Sequence, residues 1–163
     1  MALLTNIQEA VAARLSQQEF FSEASAGTPR SVPVLTEQIG DLQARIRQNL
    51  GALGIVCAVL TPTAVCTSAN RQRPYFDEVR VVVRIQENVL LNRAAGGTGQ
   101  PASLAAEAVA WYLHGFVPDG LGCSLRLEAI RLVPDERLLA YETAFTMQAS
   151  LQEAPRRLKK SEQ

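Results

Sequence analysis

From Val79 to Gln86 the chain reads Val-Arg-Val-Val-Val-Arg-Ile-Gln. A two-residue period this strict constrains the fold more than any other feature of the sequence. It specifies a β-strand with Val79, Val81, Val83 and Ile85 on one face and Arg80, Val82, Arg84 and Gln86 on the other. One face belongs in a core; the second is wet or lies at an interface. Two later segments repeat the pattern. In CSLRLEAIRLV, Cys123, Leu125, Leu127 and Ala129 share a face, and Arg126 and Glu128 share the other. In LLAYETAFTM, Tyr141, Thr143, Phe145 and Met147 oppose Glu142 and Thr146. Pro134 to Arg137 form a hairpin-like connection between them. The run Ile55 to Leu60 is apolar on both faces and predicts a central strand, ended or interrupted at Pro62.

Helical spacing fills the remainder. Thr5 is placed as an N-cap with Gln8 completing a capping box, and Leu4, Ile7, Val11 and Leu15 fall on one face. A helix is expected from about Thr5 to Gln18. Residues 22–35 form a connector with an extended end at Val32 to Leu35. Thr36 opens a second helix with a stripe of Ile39, Leu42, Ile46 and Leu50 or Leu53, closed by Gly51 and Gly54. Leu104, Val109, Trp111, Leu113 and Phe116 mark a third, slimmed by Ala105, Ala106, Ala108 and Ala110. The expected fold class is α+β: a single layer of mixed, mainly antiparallel sheet packed with about three α-helices on one face. Residues 1–150 form one domain, and 151–163 read as a polar tail.

Composition excludes several functions. Sixteen basic residues balance 16 acidic ones, so no global excess of positive charge exists for non-specific nucleic-acid binding. Three cysteines at wide spacing and one histidine argue against a structural zinc site or a disulfide scaffold. The N-terminus lacks the apolar run of a signal peptide, and no stretch is long and apolar enough to span a membrane. A cytoplasmic site of synthesis and use is expected.

The most glycine-rich segment, NRAAGGTGQPA at 92–102, follows a strand and precedes a helix, as phosphate-binding loops do. A Walker A loop is excluded, because no lysine lies within fifty residues. The fingerprint GxGxx[GA] matches from Gly97 to Ala102, but no acidic residue ends a second parallel strand at the expected distance. The alternative is a connector or flexible arm made of Gly96, Gly97, Thr98 and Gly99. His114 is read as structural. Asp77-Glu78, Glu87 and Asp135-Glu136 flank strands at turns, where solvated carboxylates are common. No catalytic, cofactor-binding or metal-binding residues are assigned. Fourteen of the 16 basic residues are arginine, and arginine is enriched in protein interfaces. Arg71, Arg73, Tyr75, Arg80, Arg84, Arg126, Glu128 and Glu142 are the candidate subunit or partner interface, with Arg131 a further strand-face arginine. Arg84→Glu is expected to break assembly while leaving the fold intact.

Five segments carry a resemblance: NIQEAVAARL, GDLQARIRQNLGALGI, RPYFDEVRVVVRIQENVLLNR, SLAAEAVAWYLHGF and YETAFTM. In order and texture, across residues 4–149, they resemble phage tail completion proteins, the tail terminator or minor tail family. The resemblance implies an α+β subunit of a homo-hexameric ring that caps the tail tube and joins it to the neck. The implied partners are the subunit itself, the tail tube protein and a neck or connector protein. No membrane and no sequence-specific nucleic acid are implied, although DNA is free to pass through such a ring. The implied location is the virion tail or neck, assembled in the bacterial host cytoplasm, with no enzyme activity and no cofactor. A neck or head-completion adaptor is the alternative within that class. A small nucleotide-binding enzyme using the 96–102 loop is the alternative outside it.

Overall fold

A computed structural model describes residues 2–22, 31–37, 40–67 and 72–151. The alternating segment lies at the middle of its sheet. Strand β3, Tyr75–Glu87, pairs antiparallel with β2, Ile55–Val65, on one side and β5, Leu139–Ser150, on the other. Strand β4, Arg126–Val133, pairs antiparallel with β5 at one edge, and the three-residue β1, Val34–Thr36, pairs parallel with β2 at the other. The order is β1-β2-β3-β5-β4, a mixed and mainly antiparallel sheet in an α+β fold.

Both faces carry helices, contrary to the expectation of one. Helix α1, Leu3–Ser16, and helix α4, Ala102–Leu113, cover the face that holds Val79, Val81, Val83, Ile85 and Phe145, all fully buried. Helix α2, Leu42–Leu53, covers the opposite face, where Ile46 packs with Leu35, Val56 and Ala58. It contacts β1 and β2, so that face is covered only at one end. The double-sided apolar run at 55–60 is thereby explained: Ile55, Cys57 and Val59 face α1, while Val56 and Ala58 face α2.

Local chemistry sets the boundaries. Helix α1 begins at Leu3, before Thr5, with no side-chain cap. Gln8, expected in a capping box, is instead buried and donates to Glu37 Oε1 and Thr61 Oγ1, both at 2.8 Å. Thr36 ends β1 rather than opening a helix, and Asp41 caps α2 by accepting from Ala44 N at 3.0 Å. Ile39 lies outside the described residues. Gly54 closes α2 at φ 78° and leads directly into β2. Pro62 interrupts β2, whose register against β3 shifts between Leu60 and Thr63.

A second bulge changes which residues face the core. In β4 the register shifts between Leu127 and Ala129, so Ala129 pairs with Ala144 and leaves the core face. Ile130 and Leu132 pair with Thr143 and Tyr141, and so take the helix side instead. In α4 the buried stripe is Ala102, Ala105, Ala106, Val109 and Leu113. Leu104 and Trp111, read as marking this helix, are exposed.

Candidate functional site

Glu87 ends β3 fully buried. Next, Asn88 caps a single turn of helix, α3, Val89–Asn92, by accepting from Leu91 N at 3.3 Å. The chain then folds back around Asn92, which is also fully buried. Its Nδ2 donates to Glu87 Oε1 and to the Gln100 carbonyl, both at 2.8 Å. Its Oδ1 accepts from the Thr98 hydroxyl, and its backbone oxygen accepts from Gly99 N at 2.9 Å. Glu87 Oε2 accepts from Ala102 N, the start of α4, at 2.8 Å. Arg93 Nε lies 3.5 Å from Glu87 Oε1.

This geometry corrects the expectation of a flexible arm at 96–99. Thr98 is 3% exposed and tied to Asn92, and a Cβ on Gly97 would collide with the Asn92 carbonyl. Gly99 adopts φ 69°, which the turn requires. The two glycines of the fingerprint thus serve a tight fold around an asparagine. The first free N–H of α4 is the atom a nucleotide phosphate would seek at a helix N-terminus. Here the chain's own carboxylate already accepts from it.

The other titratable groups are dispersed. His114 Nδ1 accepts from Leu127 N at 3.1 Å, so the ring ties the end of α4 to β4 with its proton on Nε2. Asp77 Oδ2 accepts from Thr67 N at 2.8 Å across the β2–β3 pair. Asp135 accepts from the N–H groups of Arg137 and Leu138, which hold its carboxyl below the usual range. Burial pushes the Cys57 thiol far up. Among the described residues no three histidine, cysteine or acidic side chains gather as metal ligands. No helix among them is long and apolar enough to cross a membrane.

Four of the eight expected interface residues come together. Arg80, Arg84, Arg126 and Glu142 share the sheet face that α2 leaves open, and Arg131 joins them. Arg80 and Arg126 flank Thr146; Arg84 and Arg131 flank Glu142. Glu128 sits in the bulge of β4 and is exposed. Arg73 and Tyr75 lie apart, at the opposite end of β3 from Glu87, and Arg71 lies outside the described residues, as do Lys159 and Lys160 of the tail.

No family model matches the chain, and no curated protein matches it.

Arg84 donates from both Nε and Nη2 to Glu142 Oε1, at 3.0 and 2.5 Å, and the two residues are directly opposed across β3 and β5. Their side chains are 42% and 25% exposed, so solvent screens the pair. Arg84→Glu would set two carboxylates face to face. It should lower stability by about 1 kcal/mol in urea melts, less at high salt. Adding Glu142→Arg should recover most of that loss. An unchanged midpoint for the single variant would show that the pair contributes nothing.

Sequence reasoning missed the exposed apolar side chains. Trp111 is 82% exposed and Leu90 84%. For Trp111 the signal was present: it lies two positions from both Val109 and Leu113, hence about 200° around the helix from each. For Leu90 only the structure supplies it, because the strand ends at Glu87 and a new turn begins.

Proposed function

We propose that this protein is a structural subunit of a virion tail, a terminator-like component that assembles with copies of itself into a closed ring on the tail tube. The observation that carries the reading is the half-covered sheet. Strands β3, β5 and β4 present a face with no described helix upon it, bearing Arg80, Arg84, Arg126 and Arg131 beside Glu142. A domain with a complete core on one side and an open, arginine-rich sheet on the other is built to be covered by a partner. Positive charge on that face suits an acidic rim of a tube or connector subunit. The order and texture of the sequence, similar to tail completion proteins, point the same way.

The buried Glu87–Asn92–Thr98 network supports the assembly reading over nucleotide chemistry. It spends the glycine loop on fixing local structure and occupies the helix N-terminus from within.

Light scattering behind a sizing column tests the proposal. A closed hexamer of the 17.7 kDa chain has six times that mass, about 106 kDa, and should hold that mass over a wide concentration range. A protein that stays monomeric at every concentration, and also with tail tube protein present, overturns the ring.

A further inference from the structure

A head-to-tail ring needs two different surfaces on each subunit, one to give and one to receive. The fold supplies a candidate for each. Helix α3 is a one-turn knob whose outer side is apolar: Val89, Leu90 and Leu91 are 37%, 84% and 43% exposed. Its base is rigid. Asn88 N donates to the Gly54 carbonyl at 2.7 Å, and Asn92 is held by Glu87, Thr98 and Gln100. A Cβ on Gly54 or Gly97 would run into the Asn92 backbone, so both glycines let the turn sit tight against its neighbours. A turn whose backbone is already held in place loses little backbone entropy on binding.

The receiving surface is a groove of about 480 Å³ along the outer edge of α4 and β4. It is lined by Glu107, Ala110, Trp111, His114, Leu127 and Ile130, and its walls are mainly apolar. Trp111 lines it and is largely exposed, and an exposed tryptophan beside an apolar groove is the residue type that most often anchors an interface. Charge agrees with shape. Arg93 follows the knob and is half exposed, while Glu107 stands at the rim of the groove. The knob packs beside α2 and next to the start of α4, and none of its residues lines the groove, so a chain does not fill its own groove.

The geometry points to a knob-into-groove contact between copies of this chain: the Val89–Leu91 turn of one subunit seats in the Trp111 groove of the next, with Arg93 facing Glu107. This inference rests on the ring reading and names its subunit interface. The bulge in β4 and its charged residues Arg126, Glu128 and Arg131 disfavour the rival contact, strand-to-strand pairing of two β4 edges.

Two exposed-site variants test it, Leu90→Asp and Trp111→Asp, with folding verified by circular dichroism and Leu90→Ser and Trp111→Ala as milder replacements. Each aspartate variant alone should run as a monomer of 17.7 kDa. Mixed one to one, they should form a species of twice that mass, because one retains a groove and the other a knob, and the remaining surfaces are dead. Two monomeric variants that fail to combine overturn the pairing of these two surfaces. Variants that both keep the wild-type mass overturn the inference while a wild-type hexamer leaves the ring standing. A wild type that forms an open chain, with the mixture still yielding the dimer, keeps the contact and discards the ring. A wild type monomeric at every concentration overturns the contact.

Discussion

Replacing Glu87 with alanine is expected to destabilise the protein by about 3 kcal/mol, one of the largest effects of any polar-to-alanine change in the chain. The side chain is fully buried and serves three groups at once: Asn92 Nδ2, the N–H of Ala102 and Arg93. Its removal leaves the first N–H of α4 without an acceptor and Asn92 with only the Gln100 carbonyl for its amide N–H groups. An unsatisfied buried donor costs about 1–3 kcal/mol, and the space left by the carboxylate adds to it. For a chain of this size, 1 kcal/mol lowers Tm by roughly 2–4 °C, so a fall of about 6–12 °C is expected. Glu87→Gln should cost about half as much, since it keeps the shape and one acceptor oxygen. Thermal melts of the two variants decide the matter. A loss below about 1 kcal/mol for the alanine would mean the network is solvated and the glycine loop is held by something else.

That network also shows where the sequence was legible and where it was not. The alternation of β3 could be read directly, because a period of two needs only local information, and Val79, Val81, Val83 and Ile85 lie buried as expected. The double-sided burial of Ile55 to Val59 was equally plain. The placement of α2 opposite α1 and α4 was not, since it depends on β1 pairing parallel to β2, and three residues of strand leave almost no pattern. The bulge at Glu128 was invisible for a related reason. The residues on either side alternate acceptably in the wrong register, and only pairing with β5 shows that Ala129 has turned outward. Asn92 and Glu87 gave no sign that they would meet, because hydrogen bonding between buried polar groups is set by the turn between them. The glycines that looked like a ligand loop were a consequence of that turn. On the candidate interface, the shared face of Arg80, Arg84, Arg126 and Glu142 followed from strand parity, whereas the internal pairing of Arg84 with Glu142 required the register.

The same parity predicts opposite outcomes for two adjacent valines. Val83 is fully buried and Val82 only 5% exposed, so a burial scale treats them alike. Their faces differ. Val83 points toward α4 and the side of Thr143, whose hydroxyl donates to the Ala106 carbonyl at 3.2 Å, and among the described residues the core there is apolar. Val82 lies on the open face between Leu60 and Ala144, in a recess lined by Arg80, Arg84 and Glu142. Long charged side chains share that recess with it, and such side chains can move. Val83→Asp therefore buries an unpaired carboxylate and should cost roughly 4 kcal/mol, enough to unfold much of the protein at 37 °C. Val82→Asp places its carboxylate among arginines already present and should cost about 1 kcal/mol, with the cost rising as salt screens them. Urea melts at two ionic strengths read both effects. If Val82→Asp proved as damaging as Val83→Asp, the β3–β5–β4 face would be covered by something other than its own arginines, and the open docking surface would be lost with it.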